Sequence, residues 1–412
     1  MRVRRPGPGW IAAVLGVLAG VGACGRAPSP SDAGLAALPW DSIVQRARGS
    51  RVTWVMWRGD PSINRFVDGW VAPRLRERYG IELNPVDGQG AAIVNQLVVE
   101  REAGGRGTAD LVWINGETFS NLRRERLLFG PWAHRLPSAR YLDSASAIVM
   151  RDFEADPAGY EAPWGRVQFA LIYDSARTPR PPRSVAELAE WIRAHPGRFT
   201  HDQSFTGIAF LKQVMYALGG GVARFQGGFH EAEYRRASAL VWDWLSRLRP
   251  YFWRGGDAYP ADVAALERLF ANGEVDFAMS MNENEVVTKV RQGVLPPTAR
   301  ALVLRDGSLA NAHFLGIPFN APHKAAAMVV ADFLLSPEAQ LEKQRPEVWA
   351  DGTVLAPDRL PRIWADSFAR LLSDPRAIPR DTLWRYAVPE VNPRYHERLA
   401  QDWRARIRSL RP

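Results

Sequence analysis

EAPWGRVQFALIYD, residues Glu161 to Asp174, is the stretch whose reading decides the fold. Pro163 and Gly165 bracket Trp164, which sets a tight bend with an aromatic at its apex. Beyond the bend Val167, Phe169, Leu171 and Tyr173 alternate with Arg166, Gln168, Ala170 and Ile172, the period of a strand. A turn leading into an ordinary core strand would read the same way. What favours a hinge is the company the stretch keeps, since an α/β pattern lies on each side and the chain must pass between them. A second crossing is due near Leu304 to Phe314, so that the chain can return.

On the N-terminal side, Val52 to Trp57 reads as a strand that stops at Arg58-Gly59-Asp60-Pro61. Ser62 to Tyr79 has helical spacing through Ile63, Phe66, Val67 and Trp70, with a break expected at Pro73. Ile81 to Val86 is a second strand, and Ala91 to Ala103 a helix closed by Gly104 and Gly105. Ala109 to Ile114 is a third strand, ending at Asn115-Gly116-Glu117, with a helix from Phe119 to Leu127. This β-α-β-α-β order predicts a mainly parallel sheet covered by helices on both faces. Ligands of such sheets bind beyond the carboxyl ends of the strands, here Trp57 to Asp60 and Asn115 to Glu117. Both segments also read as plain strand-to-helix turns, for which glycine is the usual residue.

Beyond the crossing stretch the pattern resumes. Ser184 and Glu187 have capping-box spacing, with a helix to Ala194. Phe205-Thr206-Gly207 opens an apolar helix from about Ile208 to Leu218, with Thr206 as its expected cap, able to aim free N–H groups at a polar ligand. Helices follow over Glu231 to Leu248 and Asp262 to Asn272. Val275 to Met281 is a strand, and Asn282-Glu283-Asn284 opens the next helix. From Phe314 onward the chain is expected to return to the first half and to finish in mostly helical structure.

The 412 residues suit two cores better than one. The net charge is +9, yet only Lys212, Lys289, Lys324 and Lys343 among the 53 basic residues are lysines, and the arginines are spread evenly. No dense basic run with interleaved aromatics marks a nucleic-acid groove, so no nucleic-acid partner is expected. Arg2, Arg4 and Arg5 precede the short apolar run Trp10 to Val21, the pattern of a secretory signal. The run ends at the chain's single cysteine, Cys24, and Val21-Gly22-Ala23-Cys24 resembles a lipobox whose cysteine becomes lipidated. Residues 1–23 are therefore expected to be a signal peptide and 24–40 a Ser/Pro/Ala-rich tether. The mature chain keeps no cysteine to ligate a metal or act as a nucleophile, and neither metal nor cofactor is expected.

NAHFLGIPFNAPHK, residues Asn311 to Lys324, followed by Ala331 to Gln340, resembles the extracellular solute-binding proteins of ABC importers. Trp54 to Asp60, Trp113 to Glu117, Leu128 to Trp132 and Phe205 to Gly207 are similar to the YnjB-type branch of that family. The resemblance implies an α/β, two-lobe periplasmic-binding-protein fold of type II kind, each lobe a mainly parallel sheet flanked by helices, joined by two hinge crossings. It divides the chain into a first lobe over 41–163, a second over 164–308, and a return to the first over 309–412. It further implies a monomer, outside the cytoplasmic membrane and lipid-anchored through Cys24, that captures a small solute and delivers it to the membrane subunits of an ABC permease. Carried over by position, the ligand-binding candidates are Trp57, Gly59, Asp60, Asn115, Gly116, Trp164, Phe205, Thr206, Gly207, Asn282 and Glu283.

The branch is similar to thiamine-, iron- and polyamine-binding proteins. Iron-binding relatives use neighbouring tyrosines, and no Tyr-Tyr pair occurs here. Aromatics with Asp60 and Glu283 suit a cationic organic solute, whereas helix N-termini at Thr206 and Asn282 suit a phosphate or carboxylate. A thiamine-like compound would use both. On this reading Asp60→Ala weakens solute binding and leaves the stability of the solute-free protein unchanged. The competing class is a secreted glycoside hydrolase or carbohydrate-binding protein, with Asp60, Glu117, Glu283 and Glu285 as its carboxylates. No Gly-x-Ser-x-Gly elbow, His-Glu-x-x-His or P-loop supports other catalysis, and the chain is not expected to be an enzyme. A scaffold without an enclosed polar cleft is the third class.

Overall fold

Val52, Trp54 and Met56 alternate with Thr53 and Val55, and the alternation sorts them onto two faces of one sheet. The computed structural model describes residues 32–35, 37–371, 374 and 376–409, so the signal, Cys24 and most of the tether lie outside the described residues. The first sheet contains β1 (Arg51–Met56), β2 (Glu82–Asp87), β3 (Leu111–Ile114), β4 (Glu161–Gln168) and β8 (Ser308–Gly316), in the order β2-β1-β3-β8-β4. β1 runs parallel to β2 and β3, while β8 runs antiparallel to β3 and β4. On one face Val52, Trp54, Met56, Leu111 and Leu315 pack with Met328, Val329 and Phe333 of the helix Lys324–Leu335. On the other, Val55, Val112, Ile114 and Phe314 pack with Ile93, Leu97 and Phe119.

The second sheet has the order β6-β5-β7, from β6 (Phe277–Ser280), β5 (Ala170–Asp174) and β7 (Ala299–Leu302). Both pairings are antiparallel, which corrects the expectation of a parallel sheet in the second lobe. The alternation of strands and helices suggested parallel crossovers, but strand direction is set by where the helices return the chain. Leu171, Phe277 and Met279 form its core with Phe210, Val214, Val241 and Leu245.

The decisive stretch is a crossing, as its context suggested. β4 belongs to the first sheet and β5 to the second, with only Phe169 between them, and its N–H donates to Leu309 O at 2.8 Å. β8 pairs along β4 from Glu161↔Gly316 to Gln168↔Ala310 and carries the return. The register shifts between Pro163 and Gly165. A Cβ at Gly165 would lie 1.8 Å from His313 Nε2 and 2.4 Å from Asp351 Oδ2, so this glycine serves a close approach.

A further crossing was not foreseen. After returning to the first sheet, the chain adds β9 (Ala387–Pro389) to β8 at Ser308 to Ala310. It then buries Tyr395, Leu399 and Trp403 of the helix Pro393–Ser409 in the second core. Residues 309–412 were expected to return to the first lobe and to end in C-terminal helices, with no second passage to the other core. Arg- and Trp-rich helices carry no signal for which of two cores will take them.

Pro73 causes no break. A π-helical turn, Phe66–Val71, joins the helices Pro61–Arg65 and Ala72–Tyr79, and Pro73 falls in the first turn of the latter. The wider turn accommodates a residue that cannot donate an i→i−4 bond.

Candidate functional site

At the carboxyl end of β1, Trp57 is half-buried and lies across Gly59, where a Cβ would meet its indole at 2.6 Å. Asp60 is buried and caps the helix Pro61–Arg65: its Oδ1 accepts from the N–H groups of Ser62 at 2.6 Å and Ile63 at 3.3 Å. Its Oδ2 lies 3.6 Å from Lys289 Nζ, which belongs to the second lobe.

At the end of β3, Asn115 is half-buried and its carbonyl accepts from Thr118 N–H at 3.1 Å. Gly116 adopts φ 51°, a left-handed conformation, and its N–H donates to both oxygens of Asp152 at 2.7 and 2.6 Å. A Cβ there would touch the Phe153 ring at 2.7 Å. Burial pushes Asp152 up to about 8, against the Gly116 hydrogen bonds. Glu117 opens the helix Glu117–Arg124 and is half-buried. No hydrogen bond or ion pair ends on its carboxylate among the described residues. Burial and neighbouring Glu397 raise its pKa, opposed by Lys212 and Arg404.

Phe205, from the second lobe, stacks on His396 at 4.7 Å and stands 6.4 Å from Phe153, whose ring also carries Lys212 Nζ at 4.5 Å. Burial and Lys212 drive His396 well below its usual value, so it presents a neutral ring. Lys212 is itself buried and paired with Glu390. Thr206 does not cap the helix Phe205–Gly219, as was expected of it, but lies buried in its first turn. The N-cap position is Ser204, and the side chain that serves this helix start is Asp202, whose Oδ1 accepts from Ser204 N–H at 2.7 Å and Gly207 N–H at 3.3 Å. Gly207 faces that cap rather than the space between the lobes, and a Cβ there would lie 1.8 Å from Asp202 O. A carboxylate two residues before the cap position competes successfully with a hydroxyl inside the helix.

Asn282 reaches the first lobe, donating from Nδ2 to Trp349 O at 3.2 Å. Glu283 is buried and accepts from Gln168 N–H, in the crossing strand, at 2.8 Å. Burial lifts it to about 7, with Arg166 pulling the other way. Trp164 is wholly buried, within 5.5 Å of the Trp54, Trp113, His313 and Trp349 rings. Trp164, a ligand-binding candidate by position, is thus packed in the first core, because a bulged strand can turn an aromatic into the core as readily as out of it.

Of the candidates, Asp60, Asn115, Gly116, Phe205, Asn282 and Glu283 are brought to the junction of the two lobes, with Trp57 and Gly59 at the end of β1. None of these candidates lines the cavity of about 560 Å³ bounded by Phe153, Glu154, Asn311, Glu390, Gly227 and Gly228 among others. Phe153 is shared between this cavity and the contacts of Gly116 and Phe205. Among the described residues no group of three or more His, Cys, Asp or Glu is arranged to hold a metal ion, and no helix is long and apolar enough to cross a membrane.

Lys212, Lys289 and Lys343 were missed as neighbours of the site. All three are buried and paired with carboxylates. The signal was present: in a chain whose cations are nearly all arginine, the four lysines mark places where a compact point charge fits and a planar fork does not. Lys324, the fourth, lies over Phe129 at 5.5 Å.

Residues 70–346 match the bacterial extracellular solute-binding protein family. The chain is 38% identical to Protein YnjB of Escherichia coli (strain K12) over 327 residues, which span 78% of this chain and 84% of that one. In fold it is similar to the Tp0655 (TpPotD) lipoprotein of Treponema pallidum, with a TM-score of 0.63 at 14% identity, covering 87% of this chain and 99% of that one. It is also similar to the periplasmic binding protein AfuA of Actinobacillus pleuropneumoniae with fructose-6-phosphate bound, with a TM-score of 0.61 at 14% identity over 87% and 99% of the two chains.

Proposed function

This chain belongs to the bacterial extracellular solute-binding proteins, ABC-importer components that work outside the cytoplasm, and we propose that its solute is a small organic cation. The observation that carries this reading is the disposition of carboxylates at the strand ends. Several backbone N–H groups that could have received a phosphate are taken by the protein's own acids: those of Ser62 and Ile63 by Asp60, that of Gly116 by Asp152, and those of Ser204 and Gly207 by Asp202. An anionic solute would have to displace them and lose their desolvated hydrogen bonds. Glu117, by contrast, carries no hydrogen bond or ion pair on its carboxylate among the described residues, with Lys212 and Arg404 acting on it through space. Near it Phe153, Phe205 and neutral His396 supply ring faces, and Trp57 supplies another at the end of β1.

In this role Glu117 takes the cationic centre, Phe205 and Trp57 offer apolar faces, and Asn115 and Asn282 offer hydrogen bonds. Gly59 and Gly116 leave room for the Trp57 and Phe153 rings to lie against the backbone. Glu283 and Asp60 set the closed geometry rather than touch solute. The bound protein docks on the permease as a monomer tethered through Cys24, and it releases its solute unchanged. Mass spectrometry of the compound freed by mild denaturation tests the class: one organic cation per chain is expected. A phosphate ester or sugar acid at that stoichiometry would overturn the cationic reading. Turnover of a glycoside by the same protein would favour the hydrolase instead. Loss of Cys24→Ser protein from the membrane fraction is the result expected of the anchor.

A further inference from the structure

One short helix of the second lobe, Glu285–Arg291, with Gln292 at its end, makes side-chain contacts to the first lobe from three positions. Lys289 Nζ lies 3.6 Å from Asp60 Oδ2, Gln292 Nε2 donates to Ser62 Oγ at 3.2 Å, and Arg291 Nη1 lies 3.4 Å from Glu347 Oε2. Positions 285, 289 and 292 are four and three residues apart, so they share a face of the helix. Of the three carboxylates around Lys289, Glu285 at 2.5 Å and Glu267 come from the second lobe, and only Asp60 comes from the first.

The pair is well shielded, with Asp60 7% and Lys289 9% exposed, and shielded charges attract more strongly than surface ones. Asp60 is also held in place, because its Oδ1 caps a helix while its Oδ2 faces the ammonium. Burial would lower the pKa of Lys289, but Glu285, Glu267 and Asp60 together raise it, so it stays charged.

We propose that Lys289 is a positioning residue for solute capture: its pairing with Asp60, supported by Gln292 on Ser62, holds the two lobes together before solute arrives. A protein already closed binds more tightly by the fraction of molecules in the competent state. The inference rests on the cleft being the solute site, and not on the charge of the solute.

The test uses solute-free, full-length protein carrying Cys24→Ser, with spin labels at Val99→Cys and Leu240→Cys, one on each lobe and both exposed. Electron–electron distance measurement should give a single dominant distance in this background. Lys289→Met and Asp60→Asn, the latter keeping a cap acceptor, should each lower the closed-to-open ratio at least tenfold and produce a second distance. The double variant should add nothing further. Unchanged distances in both single variants, or additive effects in the double, would overturn the proposal. Should Lys289→Met fold poorly, Asp60→Asn combined with Gln292→Ala reads the same equilibrium. Because no solute enters this experiment, its outcome is separate from that of the cationic assignment.

Discussion

Asp60 shows how much of a residue's role can be read locally. Asp60 was expected to be a solute ligand, yet an aspartate followed by proline at a strand end is also an N-cap signature, and the cap is there. Its partner Lys289, far along the chain and in the other lobe, was not legible, because nothing local to either residue announces the pairing. The consequence reverses the sequence expectation. Asp60→Ala should lower the stability of the solute-free protein by about 1 kcal/mol through the cap alone, with Asp60→Asn costing less, as read by urea unfolding.

Glu283 was legible as a junction residue but not as a near-neutral acid. Its pKa is raised from the usual carboxylate value to about 7 by burial, so its contribution to stability is present below about 4.5 and lost as pH rises through 7. Glu283→Gln should remove that part of the decline between about pH 4.5 and 7, at most about 3 kcal/mol. Paired unfolding curves across this range check it.

At the scale of elements, the strands of the first sheet and the crossing stretch were readable because period and turn residues coincide there. The direction of β5 against β6 and β7 was not, since alternation says which side chains face the core and nothing about which way the neighbour runs. The start of the helix Phe205–Gly219 was misplaced because Thr206 and Asp202 are both good caps by composition, and the difference is a backbone geometry that sequence does not state. Glycines separate the two kinds of information. Gly207→Ala would drive a Cβ to within 1.8 Å of the Asp202 carbonyl oxygen, a backbone atom that cannot yield cheaply. A loss of roughly 3 kcal/mol or more is expected. Gly69, in the π-helical turn, has open space around its would-be Cβ, and Gly69→Ala should be neutral or stabilising by up to about 1 kcal/mol. Thermal unfolding of the two variants side by side distinguishes a packing glycine from a tolerated one.

At the scale of the whole molecule, the two-lobe plan was legible from the repetition of α/β pattern on either side of Glu161 to Asp174, together with the resemblance carried by Asn311 to Gln340. The C-terminal crossing was not, and it alters the picture of the site. β9 joins the return strand, and the helix that follows packs in the second core while Glu397 reaches Asn121 of the first lobe. The chain end therefore contributes Glu390 and His396 beside Lys212 and Phe205, from beyond the residues that match the family. The central claim is that a solute cation meets Glu117 in the space these segments enclose. Calorimetric titration of the co-purifying solute into wild-type and Glu117→Gln protein at pH 7 tests it most directly. An affinity at least about tenfold weaker, or roughly 1.4 kcal/mol, with no loss of stability in the solute-free protein, is the predicted result. Equal affinity in the two proteins would contradict it.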